Sequence, residues 1–153
     1  MPAELSAQQK VDVLQFSLGQ LPQVECPLVH RFTPGLYTRE IFMPKGTLII
    51  SRVHKTEHPF AVLAGRATVW TEDGGVVTVE AGHLGITQPG TRRMLYILED
   101  CRWATFHPTT ETDLAKLQDE LTSTPDVGHL EGWGEAQALL RRLGVAERPE
   151  ATV

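Results

Sequence analysis

Residues 50–70, ISRVHKTEHPFAVLAGRATVW, decide how the chain is read. The run is rich in β-branched and aromatic side chains, with the polar step Lys55-Thr56-Glu57 in its middle. That composition predicts strand, turn and strand instead of helix, although His54 and His58 stand four residues apart. His54 then ends one strand and His58 opens the next. Successive side chains of a strand point to opposite faces, so Ile50, Arg52 and His54 share one face and His58, Phe60 and Val62 another. Two imidazoles on adjoining strand ends can converge on one point, as a metal site requires.

Outward from this block the same texture continues over residues 30–108. Short apolar runs alternate with the turn signals Pro34-Gly35, Lys45-Gly46, Asp73-Gly74-Gly75, Ala81-Gly82 and Pro89-Gly90. The strands expected are LYTREIFM, TLIISRV, PFAVLAG, RATVWTE, VVTVEA, LGITQ, RRMLYIL and CRWATFH. Short strands at roughly 8–12-residue spacing indicate a sandwich or barrel. Before them, residues 5–18 have helical periodicity: Ser6 and Gln9 form a capping-box pair, and Val11, Leu14 and Leu18 recur before Gly19. LPQVECPLVH, with two prolines, reads as an extended arm. After Pro108 the helical period returns, with Thr110 and Asp113 as cap and Leu114, Leu117 and Leu121 as an apolar stripe. A last helix is expected over 134–143. The chain is thus divided into a helix and arm (1–29), a barrel (30–108) and C-terminal helices with a tail (109–153).

A net charge of -5 and a pI near 5.6 argue against a nucleic-acid partner, since no basic stripe is present. No run approaches the ~18 apolar residues that span a bilayer, and the first residues are polar where a signal peptide would be apolar. A cytoplasmic protein is expected, with Cys26 and Cys101 as thiols filling apolar space. There is no P-loop, dinucleotide fingerprint or G-x-S-x-G, so no nucleotide cofactor is expected.

The 50–70 block resembles the first motif of the cupin superfamily (RmlC-like proteins). That motif pairs two histidines with a glutamate and then a glycine. Gly65 lies seven residues after His58, so His58 falls where the family has its glutamate. His54 falls at the second histidine, and Arg52 replaces the first. AGHLGITQPGTRR resembles the second motif through Gly82, Pro89 and Gly90, with Arg93 at its histidine position. The resemblance covers about residues 35–108, and within the superfamily the sequence is similar to small uncharacterised cupins common in bacteriophage genomes. It implies a mainly β, cupin-like barrel (a double-stranded β-helix or jelly roll) with flanking N- and C-terminal helices. It also implies a homodimer or higher homo-oligomer, with residues 20–32 crossing to a partner.

The resemblance implies a divalent metal (Zn, Fe, Mn or Ni) held by His54 and His58. His107 is a third ligand candidate, because Trp103, Thr105 and His107 share one face of the last strand. Arg52 and Arg93 pull the other way. Facing the mouth, two guanidinium groups repel a cation and take a carboxylate or phosphate bidentately. Their alternatives are solvent, or ion pairs with Glu57 or Glu40. Glu57 is a candidate base or ligand-binding group in the turn, whereas His30, His83 and His129 read as surface or turn residues. Three functions remain open at this point. One is a metal-dependent enzyme acting on a small polar or anionic molecule. The others are a non-catalytic pocket that binds a small anion, and a phage-associated structural or assembly protein.

Overall fold

A computed structural model describes residues 6–19, 23–71 and 75–123. The helix expected at the start is α1 (Ala7–Gly19). Its capping box forms: the Gln9 amide N–H donates to Ser6 Oγ at 3.1 Å, and the Ser6 N–H donates to Gln9 Oε1 at 2.9 Å. The strands are β1 (Leu28–Thr33), β2 (Leu36–Met43), β3 (Leu48–Ile50), β4 (Val53–His54), β5 (His58–Thr71), β6 (Val76–Glu80), β7 (Leu84–Thr87) and β8 (Arg93–Pro108). Helix α2 (Leu114–Leu121) and the short strand β9 (Thr122–Ser123) follow. The fold is mainly β and antiparallel, with helices at its flanks. Among the described residues no helix is long and apolar enough to cross a membrane.

Five expectations need revision. PFAVLAG and RATVWTE are one strand, β5, and RRMLYIL and CRWATFH are likewise one strand, β8. TLIISRV is divided, because Ser51 and Arg52 separate β3 from β4. The arm becomes a strand from Leu28 and pairs within the chain, Leu28 opposite Ile41 and Thr33 opposite Leu36. The α2 cap is Asp113, whose carboxylate accepts the Lys116 N–H, and not Thr110. The helix expected over 134–143, His129 and the Asp73-Gly74 turn lie outside the described residues.

The sheet order is β1-β2-β8-β5-β6, with β3 on the first half of β8 and β7 on the first half of β5. Two long strands therefore form the spine. They run together from Phe60 opposite Thr105 to Thr71 opposite Arg93, and their register shifts around Ala64 and Arg66. Gly65 sits at that irregularity with φ +82, and a Cβ there would lie 2.1 Å from the Asp100 carbonyl oxygen. Only glycine satisfies both the positive φ and the close strand approach. Met43, Val62, Ala67, Val69, Leu95, Ile97, Cys101 and Trp103 build the core against this spine. Both cysteines are free, and burial pushes the Cys101 thiol up to about 11.

Helix α1 is docked by polar contacts as well as by Val13 and Leu14. The Arg92 side chain is 1% exposed and pairs with Asp12 at 2.7 Å, and it also donates to Gln15 at 2.8 Å. At the other flank, β9 pairs with β4, Val53 opposite Ser123 and His54 opposite Thr122. That pairing carries α2 onto the open side of the sheet, where Leu117 and Leu121 bury against Tyr37.

Candidate functional site

Between the sheet and α2 lies a cavity of about 480 Å³, within the range typical of small-molecule sites. Strand alternation sets most of its wall. On β2 the inward positions are Tyr37, Arg39, Ile41 and Met43, and on the last half of β8 they are Trp103, Thr105 and His107. Arg93 and Leu95 enter from the start of β8, and Arg52 and His54 enter from the β3–β4 segment. Leu114, Leu117 and Leu121 of α2 cover part of it.

The histidines meet by three different local devices. The Pro89-Gly90 turn clasps the backbone of His54: His54 donates its N–H to the Thr91 carbonyl at 2.9 Å, and the Gly90 N–H donates to the His54 carbonyl at 2.7 Å. His58 is buried, and its Nδ1–H donates to the Thr56 carbonyl at 2.9 Å, leaving Nε2 with the lone pair. His107 Nε2 bonds Thr105 Oγ1 at 2.8 Å. The rings then pack in series, His54 to His58 at 5.0 Å and His58 to His107 at 4.3 Å between centroids. His54 and His107 line the cavity, and His58 lies behind them. The Nδ1 atoms of His54 and His107 and the Nε2 of His58 are buried without a protein hydrogen-bond partner.

Burial, then neighbouring positive charge, sets the protonation of these rings. Desolvation, followed by His58, Arg93 and Arg39, pulls His54 down to about 4. Desolvation, followed by His58, His54 and Arg39, pulls His107 down to about 3. His58 is lowered by burial and then by Arg93, against the bond to Thr56, which raises it. All three are neutral at pH 7.

The arginines differ from expectation in number and in partners. Glu40 is taken by Arg31 at 2.7 Å and by Arg102, so neither Arg52 nor Arg93 uses it. Arg52 Nε donates to Thr122 Oγ1 at 2.7 Å, tying the wall to β9. Arg93 Nη1 donates to Thr87 Oγ1 at 2.9 Å, and its guanidinium lies 4.9 Å from the Phe60 centroid. Phe60 is itself stacked on Trp103 at 4.8 Å. Sequence reasoning missed Arg39. It lines the cavity with no carboxylate partner among the described residues, and burial lowers its pKa. Period two in LYTREIFM could have found it, since Arg39 lies between Tyr37 and Ile41 on one face. His30, read as a surface residue, also lines the cavity and contacts the Tyr37 hydroxyl at 2.5 Å through Nδ1. His83 lies beside Phe60 and outside the cavity lining, and Glu57 is exposed and outside it.

These residues suit a metal in one respect and fail it in another. Neutral, buried imidazoles with unpartnered nitrogens are suitable donors. However, among the described residues no group of three or more His, Cys, Asp or Glu side chains is arranged to hold a metal ion. No Asp or Glu lines the cavity among them either, and three arginines do. The donor set as arranged does not fit a resident divalent cation.

Fold and site together define a β-rich chain with a cationic pocket partly covered by α2. No family model and no curated protein matches the sequence. Among solved structures, the chain is similar to a Neisseria meningitidis protein at 12% identity, over 62% of this chain and 93% of that one, with a TM-score of 0.45. It is similar to the EutQ protein of Clostridium difficile at 19% identity, over 56% and 70%, with a TM-score of 0.47. An RmlC-like cupin family protein with a double-stranded β-helix fold, from Methanocaldococcus jannaschii, is similar at 10% identity over 55% and 80%, with a TM-score of 0.46. Such likenesses concern the fold and not the site.

Proposed function

We propose that the cavity binds a small molecule through an anionic group, with Arg39, Arg52 and Arg93 as its anchors. One observation carries this reading: three partly buried guanidiniums line a single cavity in which no carboxylate among the described residues offsets them. Charged side chains withdrawn from water are ordinarily paired, because an unpaired buried charge loses hydration without compensation. An anionic ligand supplies the missing partner, and the planar guanidinium forks bind carboxylate or phosphate oxygens in pairs. The neutral imidazoles of His54 and His107 can each offer one N–H to the same ligand. A cavity of about 480 Å³ also favours a ligand-binding role over a purely structural one.

The test is calorimetric titration of the full chain with inorganic phosphate, acetate and benzoate. Binding of at least one anion, weakened tenfold or more in Arg39→Gln and Arg93→Gln, is expected. Absence of binding by every anion at millimolar concentration would falsify the reading. A metal-dependent enzyme is the second reading: the rings as arranged do not form a metal site, but their three unpartnered nitrogens would be its donors after a local rearrangement. It predicts close to one equivalent of Zn, Fe, Mn or Ni per chain by elemental mass spectrometry, lost in His54→Ala and His58→Ala.

A further inference from the structure

We infer that the ligand is an anionic amphiphile: a carboxylate or phosphate monoester head carrying an apolar chain. This rests on the anion-binding reading above and goes further by assigning the rest of the molecule. Strand register divides the cavity wall into a polar and an apolar part. Across β1, β2 and β8, His30 pairs with Arg39 and Arg39 with Thr105, forming one polar row of the cavity wall. Two positions along, on the same face, Leu28 pairs with Ile41 and Ile41 with Trp103, forming an apolar row. Two strand residues span ~7 Å, so the wall changes from hydrogen-bonding to apolar over about the length of a few methylenes.

The opposite wall continues that division. Leu114, Leu117 and Leu121 of α2 face the cavity, while Arg52, beside them in space, is bonded to Thr122. The solvent-facing part of the lining is also largely apolar: Leu28 is 41% and Leu114 47% exposed, with Gln118 next to them on α2. A fully hydrated ion such as free phosphate gains nothing from leucines at the edge. A chain trailing from a bound head removes those leucines from water. The volume allows it, since about 480 Å³ equals roughly sixteen water volumes at ~30 Å³ each, and a ten-carbon acid fits within that.

The experiment titrates the full chain with acetate, hexanoate, decanoate and decyl phosphate, with decanol and decylamine as controls. Affinity is expected to rise with chain length by up to about fourfold per methylene, the equivalent of ~0.8 kcal/mol for each CH₂ buried. Both controls are expected to bind at least tenfold more weakly than decanoate. Leu117→Ser should flatten the length dependence, and Arg39→Gln should weaken every anion alike. Far-UV circular dichroism checks that both variants fold, and Leu114→Ser, an exposed position, serves in place of Leu117→Ser if that variant does not. Equal affinity for acetate and decanoate would overturn the amphiphile and leave the anion-binding reading standing. Decanol or decylamine binding as tightly as decanoate, or no binding by any anion, would overturn both.

Discussion

Replacing Gly65 with alanine should damage this protein far more than the same change at Gly46, although the two share one backbone conformation. Their φ values are +82 and +83. A Cβ in that region meets the neighbouring carbonyl, at about 1–2 kcal/mol per residue. Gly46→Ala should lose only that, because nothing lies within 4 Å of the added methyl. At Gly65 the methyl would stand 2.1 Å from the Asp100 oxygen and 2.8 Å from Cys101 Cα, where 3.4 Å begins ordinary contact. Both obstacles are backbone, so β5 and β8 must part by more than an ångström. Cys101, Ile97 and Val62, all within 1% of complete burial, pack around that crossing. Overpacking of a tight core adds about 1–3 kcal/mol, so Gly65→Ala should lose about 2–5 kcal/mol in all. Urea unfolding followed by circular dichroism, on both variants at one pH, separates the contributions. Losses agreeing within about 0.5 kcal/mol would show that strand approach at Gly65 is not what requires glycine. His58 opens the same strand seven residues earlier, so a shift there should also weaken anion binding in Gly65→Ala.

Stability should fall in mild acid. An unfolded histidine titrates near 6.5, whereas His54 and His107 in the folded chain titrate near 4 and 3. The unfolded chain therefore binds more protons between these limits. The stabilisation is complete above pH 6.5 and is lost as pH falls towards 4 and then 3. Between pH 7.5 and 5 each histidine accounts for about 2 kcal/mol, and Glu40, held below 4.5 by Arg31 and Arg102, titrates outside this window. Burial also lowers His58 and His30, which add to the loss; urea unfolding with a chelator present should show the loss smaller by about 2 kcal/mol in His107→Gln, and an unchanged loss would disprove the assignment. Separately, Asp12→Ala removes the carboxylate that lies 2.7 Å from the buried Arg92 guanidinium and should lose about 2–3 kcal/mol. A change under 0.5 kcal/mol in the same assay would mean that the pair does not hold α1 in place.

Local physics was legible in the sequence. The capping box at Ser6, the strand LYTREIFM and the His54–turn–His58 step depend on contacts a few residues apart. They emerge from periodicity and turn chemistry alone. The facing of Trp103, Thr105 and His107 into one cavity also followed from period two. Periodicity cannot report which face of which strand meets another. Arg92 and Arg93 are adjacent and identical, yet one anchors α1 and the other lines the cavity. Arg39 and His30 join the site only because β1, β2 and β8 pair in one register, and a single-residue slip would turn both outward. The stripe Leu114, Leu117 and Leu121 was visible as a helix face, but the β4–β9 pairing made it a wall of the cavity. Sequence patterns fix dihedrals and alternation over short range, while the composition of a site depends on register between residues up to seventy positions apart, as in Arg52 and Thr122.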